Sequence, residues 1–189
     1  MNKTRSPWKI LGERGIYDNE WINVTEYDVV NPSGGTGIYG KVHFKNFAIG
    51  IIALDDEMNT YLVGQYRFPL NAYSWEIPEG GGPLEVDMLE SAKRELKEET
   101  GLIAAQWTRI LNLHLSNSVS DEYGAIFLAR QLTQQQATPE ETEQLAVKKL
   151  PFEEVYEMVE EGKITDSLTV AGVLKVKLML LNGKLLITA

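Results

Sequence analysis

Apolar positions in the N-terminal part of the chain fall in short runs rich in β-branched and aromatic residues, bounded by turn formers. WINVTEYDVV (21–30) and GIYGKVHF (37–44) flank NPSGGT, whose Asn, Pro and paired glycines are turn chemistry, and together they predict a β hairpin. NFAIGIIALD (46–55) is almost continuously apolar, the mark of a buried strand, and TYLVGQYRF (60–68) follows it across the turn residues DDEMN.

The period then changes. Leu89, Ala92 and Leu96 recur at helical spacing, Asp87 stands as an N-cap with Glu90 three residues on in a capping-box pattern, and Gly101 occupies the left-handed C-terminal position. A helix over about 88–100 is predicted. Strands are expected again at WTRILNLHL (107–115), YGAIFLARQL (123–132) and QLAVKKL (144–150), and the polar stretch QLTQQQATPEETEQ (131–144) reads as an exposed loop. Two helices close the chain. PFEEVYEMVEEG (151–162) places Phe152, Val155, Tyr156 and Val159 on one face, and DSLTVAGVLKVKLMLL (166–181) opens on the capping residues Asp166 and Ser167. Because strands come in consecutive runs, the pattern favours an α+β fold, a mixed sheet with flanking helices, over a doubly wound parallel sheet.

Composition narrows the function. With 189 residues, 43% hydrophobic and 24% charged, the chain is large enough for one well-buried core. Its start, MNKTRSPWKILGERG, has basic residues without an apolar stretch behind them, and its longest apolar run, FAIGIIAL, is too short to span a bilayer, so neither export nor membrane insertion is expected. The absence of cysteine excludes disulfides, thiolate metal sites and cysteine nucleophiles and suits a reducing compartment; the chain reads as cytoplasmic. A formal charge of −9 repels nucleic acid and anionic lipid, so a phosphate-bearing ligand is expected to be small and held by a cation or a few placed basic residues.

The stretch PEGGGPLEVDMLESAKRELKEETG (78–101) sets Glu95, Glu98 and Glu99 within one turn of the predicted helix. Side chains of a helix lean toward its N-terminus, which aims these acids at the glycines. Like charges so crowded raise one another's proton affinity unless a multivalent cation takes the charge, and all-oxygen donors suit Mg2+ or Mn2+. The plain alternative is a solvated face in which Glu90, Arg94 and Glu98 form i,i+4 ion pairs.

Gly80, Arg94, Glu95, Leu96, Glu98, Glu99, Gly101 and Leu102 stand in the register of Gly, five residues, Glu, seven residues, Arg-Glu-apolar-x-Glu-Glu-x-Gly-apolar. The stretch resembles the Nudix box, the signature of hydrolases that split nucleoside diphosphates linked to another moiety. One position departs: Val86 stands where the first box glutamate is expected. QYRFPL (65–70), WEIPEGGG (75–82) and SNSVSDE (116–122) are similar to the branch related to ADP-ribose pyrophosphatases. The resemblance implies an α/β/α sandwich with a mixed sheet over 46–189, and an N-terminal β region over 1–45 that in this branch is exchanged between subunits of a homodimer.

It also implies roles. Glu95 and Glu99 would be the principal ligands of Mg2+ or Mn2+, with Glu98 holding a further cation or its water and the Glu79 carbonyl as an additional ligand; Arg94 and Glu98 join the catalytic group. Gly80, Gly81 and Gly82 let the backbone approach a pyrophosphate, or are a mere flexible lead-in. Arg67 is a candidate phosphate clamp or a surface ion pair. Glu76 either faces the same cleft or points outward from its strand. Glu122 or Asp121 would be the general base, with Glu122 preferred. Asn117 stands where typical ADP-ribose hydrolases carry a proline, and is taken as a substrate contact. Tyr39 and Trp75 are candidates for stacking on a base, whereas His43 and His114 read as packing residues. The expected substrate is a nucleoside diphosphate sugar, ADP-ribose first and GDP-mannose or ADP-glucose next. A Nudix-fold binding module without hydrolysis is the alternative that Val86 leaves open.

Overall fold

Alternation along a few buried strands sets the architecture. The computed structural model describes residues 5–135 and 145–185, and the chain divides into two compact units. The first unit takes the chain up to Asn46 together with His114–Glu122. Its antiparallel sheet has the order β1 (Lys9–Asp18), β2 (Ile22–Val30), β3 (Thr36–Phe44), and β2 pairs β3 from Ile22↔Phe44 to Val30↔Thr36. The expected hairpin turn is built on Asn31, whose Oδ1 accepts from the Ser33 and Gly35 amides at 2.9 and 3.0 Å, while Gly34 takes φ 89°, a left-handed conformation that costs glycine little. β1 is absent from the sequence reading: Gly12 and Gly15 interrupt its alternation, and the register shifts beside each of them.

The second unit takes Phe47–Leu113 and the chain from Tyr123 onward. In chain order its elements are β4 (Asn46–Ala53), β5 (Asn59–Arg67), a 3-10 turn at Phe68–Leu70, β6 (Ala72–Glu76), β7 (Glu79–Pro83), α1 (Met88–Thr100), β8 (Leu102–His114), β9 (Tyr123–Gln134), β10 (Ala146–Pro151), α2 (Phe152–Glu160) and α3 (Ser167–Leu181). One sheet has the order β7-β4-β9-β8 and another β10-β5-β6. β4 and β9 are parallel, from Ala48↔Gly124 to Ala53↔Ala129, whereas β5 pairs antiparallel with β10 and β6.

Period-two alternation on β4 and β9 makes this an α/β/α sandwich. Ile49, Ile51, Ala53, Ala125, Phe127 and Ala129 cluster with Ala92 and Leu96 of α1. The intervening residues face α3: a Cβ on Gly172 would meet Ile52 and Ile126, and one on Gly50 would meet Leu168. The fold class is thus the α+β arrangement expected. No helix among the described residues is long and apolar enough to cross a membrane.

Several boundaries differ from expectation. β7 is a strand where a flexible lead-in is one of the readings, and β8 begins at Leu102, ahead of Trp107. The polar stretch from 131 is strand as far as Gln134, and residues 136–144 lie outside the described residues. Asp87 caps α1 through the Leu89 amide at 2.8 Å, but no capping box closes, because Glu90 turns outward to Lys93 at 2.7 Å.

Leu96 is fully buried between α1 and the sheet. Leu96→Ala should lower stability by about 2–5 kcal/mol, read as the shift in urea unfolding free energy; a loss near zero would contradict the close packing of this helix.

Candidate functional site

The caps of α1 decide which side chains reach β7. With Asp87 at one end and Gly101 at the other, in a left-handed conformation with φ 71° and its amide bonded to the Lys97 carbonyl at 2.9 Å, Ala92 and Leu96 turn into the core. Glu95 and Glu99 are buried too, at 9% and 3% exposure, which is unusual for carboxylates without partners. Oε2 of Glu99 accepts from the Glu79 amide at 3.0 Å. A Cβ on Gly80 would fall inside the Glu95 carboxylate, and one on Gly82 would press on Ser91 and Ile49. The glycines are therefore not a flexible lead-in. They form a strand whose missing side chains make room for the helix acids.

Arg94 ties these parts together. Its Nη1 bonds Glu98 Oε2 at 2.6 Å, and its Nη2 bonds Glu95 Oε1 at 2.6 Å and the Gly81 carbonyl at 2.8 Å. One guanidinium thus supplies countercharge to two box acids and anchors the glycine strand to the helix. Val86, in the position of the missing glutamate, is exposed in the turn before α1.

A second constellation gathers where β6 ends, β7 begins and α3 starts. Arg67 Nε lies 3.1 and 3.0 Å from the two carboxylate oxygens of Glu76, and Nη2 lies 2.5 Å from Glu76 Oε2 and 2.8 Å from Glu79 Oε1. Glu76 is 3% exposed and faces inward, which resolves the choice left open by its strand position. Asp166 caps α3, its Oδ2 accepting from the Thr169 amide at 2.7 Å and the Thr169 hydroxyl at 2.8 Å, while that hydroxyl accepts from the Ile77 amide at 2.9 Å. Arg67, Leu70, Ser74, Glu76, Glu79 and Asp166 line a cavity of about 420 Å³. Burial, with the nearby charges of Asp166 and Glu76, raises the proton affinity of Glu79 well above the ordinary glutamate value, against the opposing pull of Arg67.

Tyr39, Asn117, Asp121 and Glu122 belong to the first unit. Asp121 accepts from the Phe44 amide at 3.1 Å and contacts His43 Nδ1 at 2.8 Å and Lys41 Nζ at 3.2 Å. Partial burial raises its proton affinity, but His43, the amide and Lys41 outweigh this and hold it below the usual value. Glu122 is half-buried, and burial alone raises its pKa. The two neighbours are thus driven apart: Asp121 is a held ion, and Glu122 has the greater appetite for a proton. Asn117 lies on the exposed turn between Ser116 and Ser120, which is tied to β3 by the Val42 amide and the Val119 carbonyl at 2.9 Å. Tyr39 donates its hydroxyl to the Ser118 carbonyl at 2.5 Å and meets Trp8 edge to face at 5.3 Å. The histidines differ from the packing role expected: His43 pairs with Asp121, and the His114 ring lies 3.2 Å from the Glu122 carbonyl. Trp75 is half-buried beneath Lys148, whose Nζ sits 4.0 Å from the ring centre.

Sequence reasoning reaches Glu79 only through its carbonyl, and Asp166 only as a helix cap. Nothing local marks them as neighbours, because the fold alone brings them to one cavity.

Comparison with known proteins gives a consistent picture. Residues 45–168 match the NUDIX domain, and residues 8–42 match the nucleoside diphosphate sugar hydrolase N-terminal domain. The chain is 34% identical over 158 residues to an ADP-ribose pyrophosphatase of Mycobacterium tuberculosis, covering 79% of this chain and 73% of that one. It is 29% identical over 163 residues to an ADP-ribose pyrophosphatase of Bacillus subtilis, covering 85% and 88%. A solved ADP compounds hydrolase superposes with a TM-score of 0.84 over 97% of this chain and 100% of that one, at 20% identity, a likeness of fold.

Because Glu79 binds its proton more tightly in the fold than in the unfolded chain, its stabilising contribution is complete below the ordinary value of 4.5 and is lost as pH rises through the raised value. With divalent ions chelated, the urea stability of Glu79→Gln should fall less than that of the unsubstituted chain between about pH 5 and pH 8. Equal losses would contradict a charge forced into a buried place.

Proposed function

The chain belongs to the NUDIX domain family, and from that premise we propose that it hydrolyses the pyrophosphate bond of a nucleoside diphosphate sugar, releasing a nucleoside monophosphate and a sugar phosphate. ADP-ribose is the first candidate, supported by the relatives named ADP-ribose pyrophosphatase, with GDP-mannose and ADP-glucose next. The match of residues 8–42 supports the nucleotide-sugar class as a whole. The observation that carries the reading is the burial of Glu95 and Glu99 against the glycine run of β7, an arrangement that is costly for a mere solvated helix.

These buried hard-oxygen donors fit Mg2+ or Mn2+, with Glu95 and Glu99 as principal ligands and Glu98 and the Glu79 carbonyl beside them. When bound, such an ion neutralises charge on the pyrophosphate and acidifies water. The chain's own residues do the rest. Arg94 orients Glu95 and Glu98 and fixes the backbone of Gly81, so the acids are set before substrate arrives. Gly80 and Gly81 admit a phosphate close to the main chain. Arg67, whose Nη1 is outside its bonds to Glu76 and Glu79, offers a guanidinium N–H to a phosphate oxygen. Glu122, its proton affinity raised, takes a proton from the attacking water; the water oxygen bonds to one phosphorus as the bridging P–O bond breaks. Asp121 holds the loop to β3 and is the weaker candidate for that proton. Tyr39 stacks on the base, and Asn117 contacts the sugar nucleotide. The exposed apolar residues Ile10, Leu11, Ile16 and Ile38 of the N-terminal sheet support a homodimer in which that sheet is exchanged.

Val86 favours one second reading, a binding module that holds the nucleotide sugar without cleaving it. A panel of nucleotide sugars with Mg2+ separates the two, with products identified by mass spectrometry in heavy-oxygen water. Release of a nucleoside monophosphate is expected, with turnover reduced by about 10²–10⁴-fold in Glu122→Gln and much less in Asp121→Asn. Glu99→Gln should cost more than about 100-fold, and Val86→Glu should raise the rate. Binding without product from every member of the panel would leave the module as the answer.

A further inference from the structure

We propose that Glu76, Glu79 and Asp166 form a divalent-cation site of their own, distinct from the acids of α1. Each of the three offers a carboxylate oxygen within 4.8 Å of the others, Glu76 fully buried and Glu79 and Asp166 half-buried. They come from three separate elements, the end of β6, the start of β7 and the cap of α3, so the cluster is assembled by the fold and not by local sequence.

The charge is out of balance. Three carboxylates face one guanidinium, so the formal sum is −3 + 1 = −2, which one divalent ion would cancel. The Arg67 bonds reach Glu76 and Glu79 Oε1 and leave Glu79 Oε2 unmet. Glu79 Oε2 is buried and receives no hydrogen bond. The Glu79 and Asp166 carboxylates lie close together, and two ionised acceptors would have no donor to share. A buried acceptor without a donor is costly, and a cation is one of two ways to meet it; a shared proton is the other.

Geometry favours the cation. The Thr169 bonds of Asp166 go to Oδ2, and a carboxylate has a second oxygen that can serve a cation without disturbing the cap. The adjoining cavity, with Ser74, Thr165 and Ser167 on its wall, has room for the waters that complete an oxygen coordination shell. An all-carboxylate donor set of this kind selects Mg2+, Mn2+ or Ca2+ over softer metals.

The test counts bound Mn2+ by electron paramagnetic resonance of the free ion, in full-length chain carrying Glu95→Gln, Glu98→Gln and Glu99→Gln so that the helix acids are removed from the count. One Mn2+ per chain should remain, and its affinity should fall more than about tenfold on adding Asp166→Asn, which keeps an oxygen for the Thr169 cap. Glu79→Gln should produce the same loss and decides the matter should Asp166→Asn fail the circular-dichroism check of folding. No bound Mn2+ in the starting chain, the result expected of a shared proton, would overturn the proposal, as would binding that neither substitution weakens. The readout is occupancy and not turnover, so a chain inactive on every nucleotide sugar would leave this count intact.

Discussion

The acid cluster of the second unit depends on the bare contact between α1 and β7. The helix can press its acids onto the strand because Gly80 has no side chain where the Glu95 carboxylate lies, and the strand answers with an amide from Glu79 to Glu99. Arg94 then spans from Glu95 and Glu98 to the Gly81 carbonyl. Backbone, acid and base are locked in one arrangement, and the cost of burying carboxylates is offset by bonds that also set their direction.

The same logic recurs a short way along the chain with different residues. Arg67 stands to Glu76 and Glu79 as Arg94 stands to Glu95 and Glu98, one planar cation serving two acids, Arg94 through separate nitrogens and Arg67 with Nη2 shared between them. The difference lies in the third acid. Glu99 is met by the amide of the glycine strand's own Glu79, whereas the donors to Asp166 are the amide and hydroxyl of Thr169 in the helix that it caps. A protein with a net charge of −9 thus sets two of its 18 Lys and Arg side chains among clustered acids.

What the amino-acid pattern discloses and what it hides follow from range. α1 is legible because its evidence is local: Asp87, the Leu89, Ala92 and Leu96 stripe, and Gly101 lie within a few turns of one another. β7 is hidden because glycine carries no apolar signal, and its strand conformation is imposed by neighbours on both sides. β1 is hidden for a related reason, since Gly12 and Gly15 break its alternation with bulges. The acids of α1 can be picked out from spacing, but the inward turn of Glu76 and its bond to Arg67 depend on the pairing of β5 with β6, from Val63↔Glu76 to Arg67↔Ala72. Asp121 and Glu122 are equivalent as letters. Only the partners Lys41, His43 and the Phe44 amide separate them.

Oδ2 of Asp166 begins α3, and the same carboxylate has an oxygen within 4.8 Å of those of Glu76 and Glu79. Any change of charge in that cluster is therefore felt at the first turn of the helix, where the Thr169 amide hangs on the same group. Hydrogen exchange at that amide becomes a built-in gauge of what the acids hold, legible without any substrate and at a single backbone position.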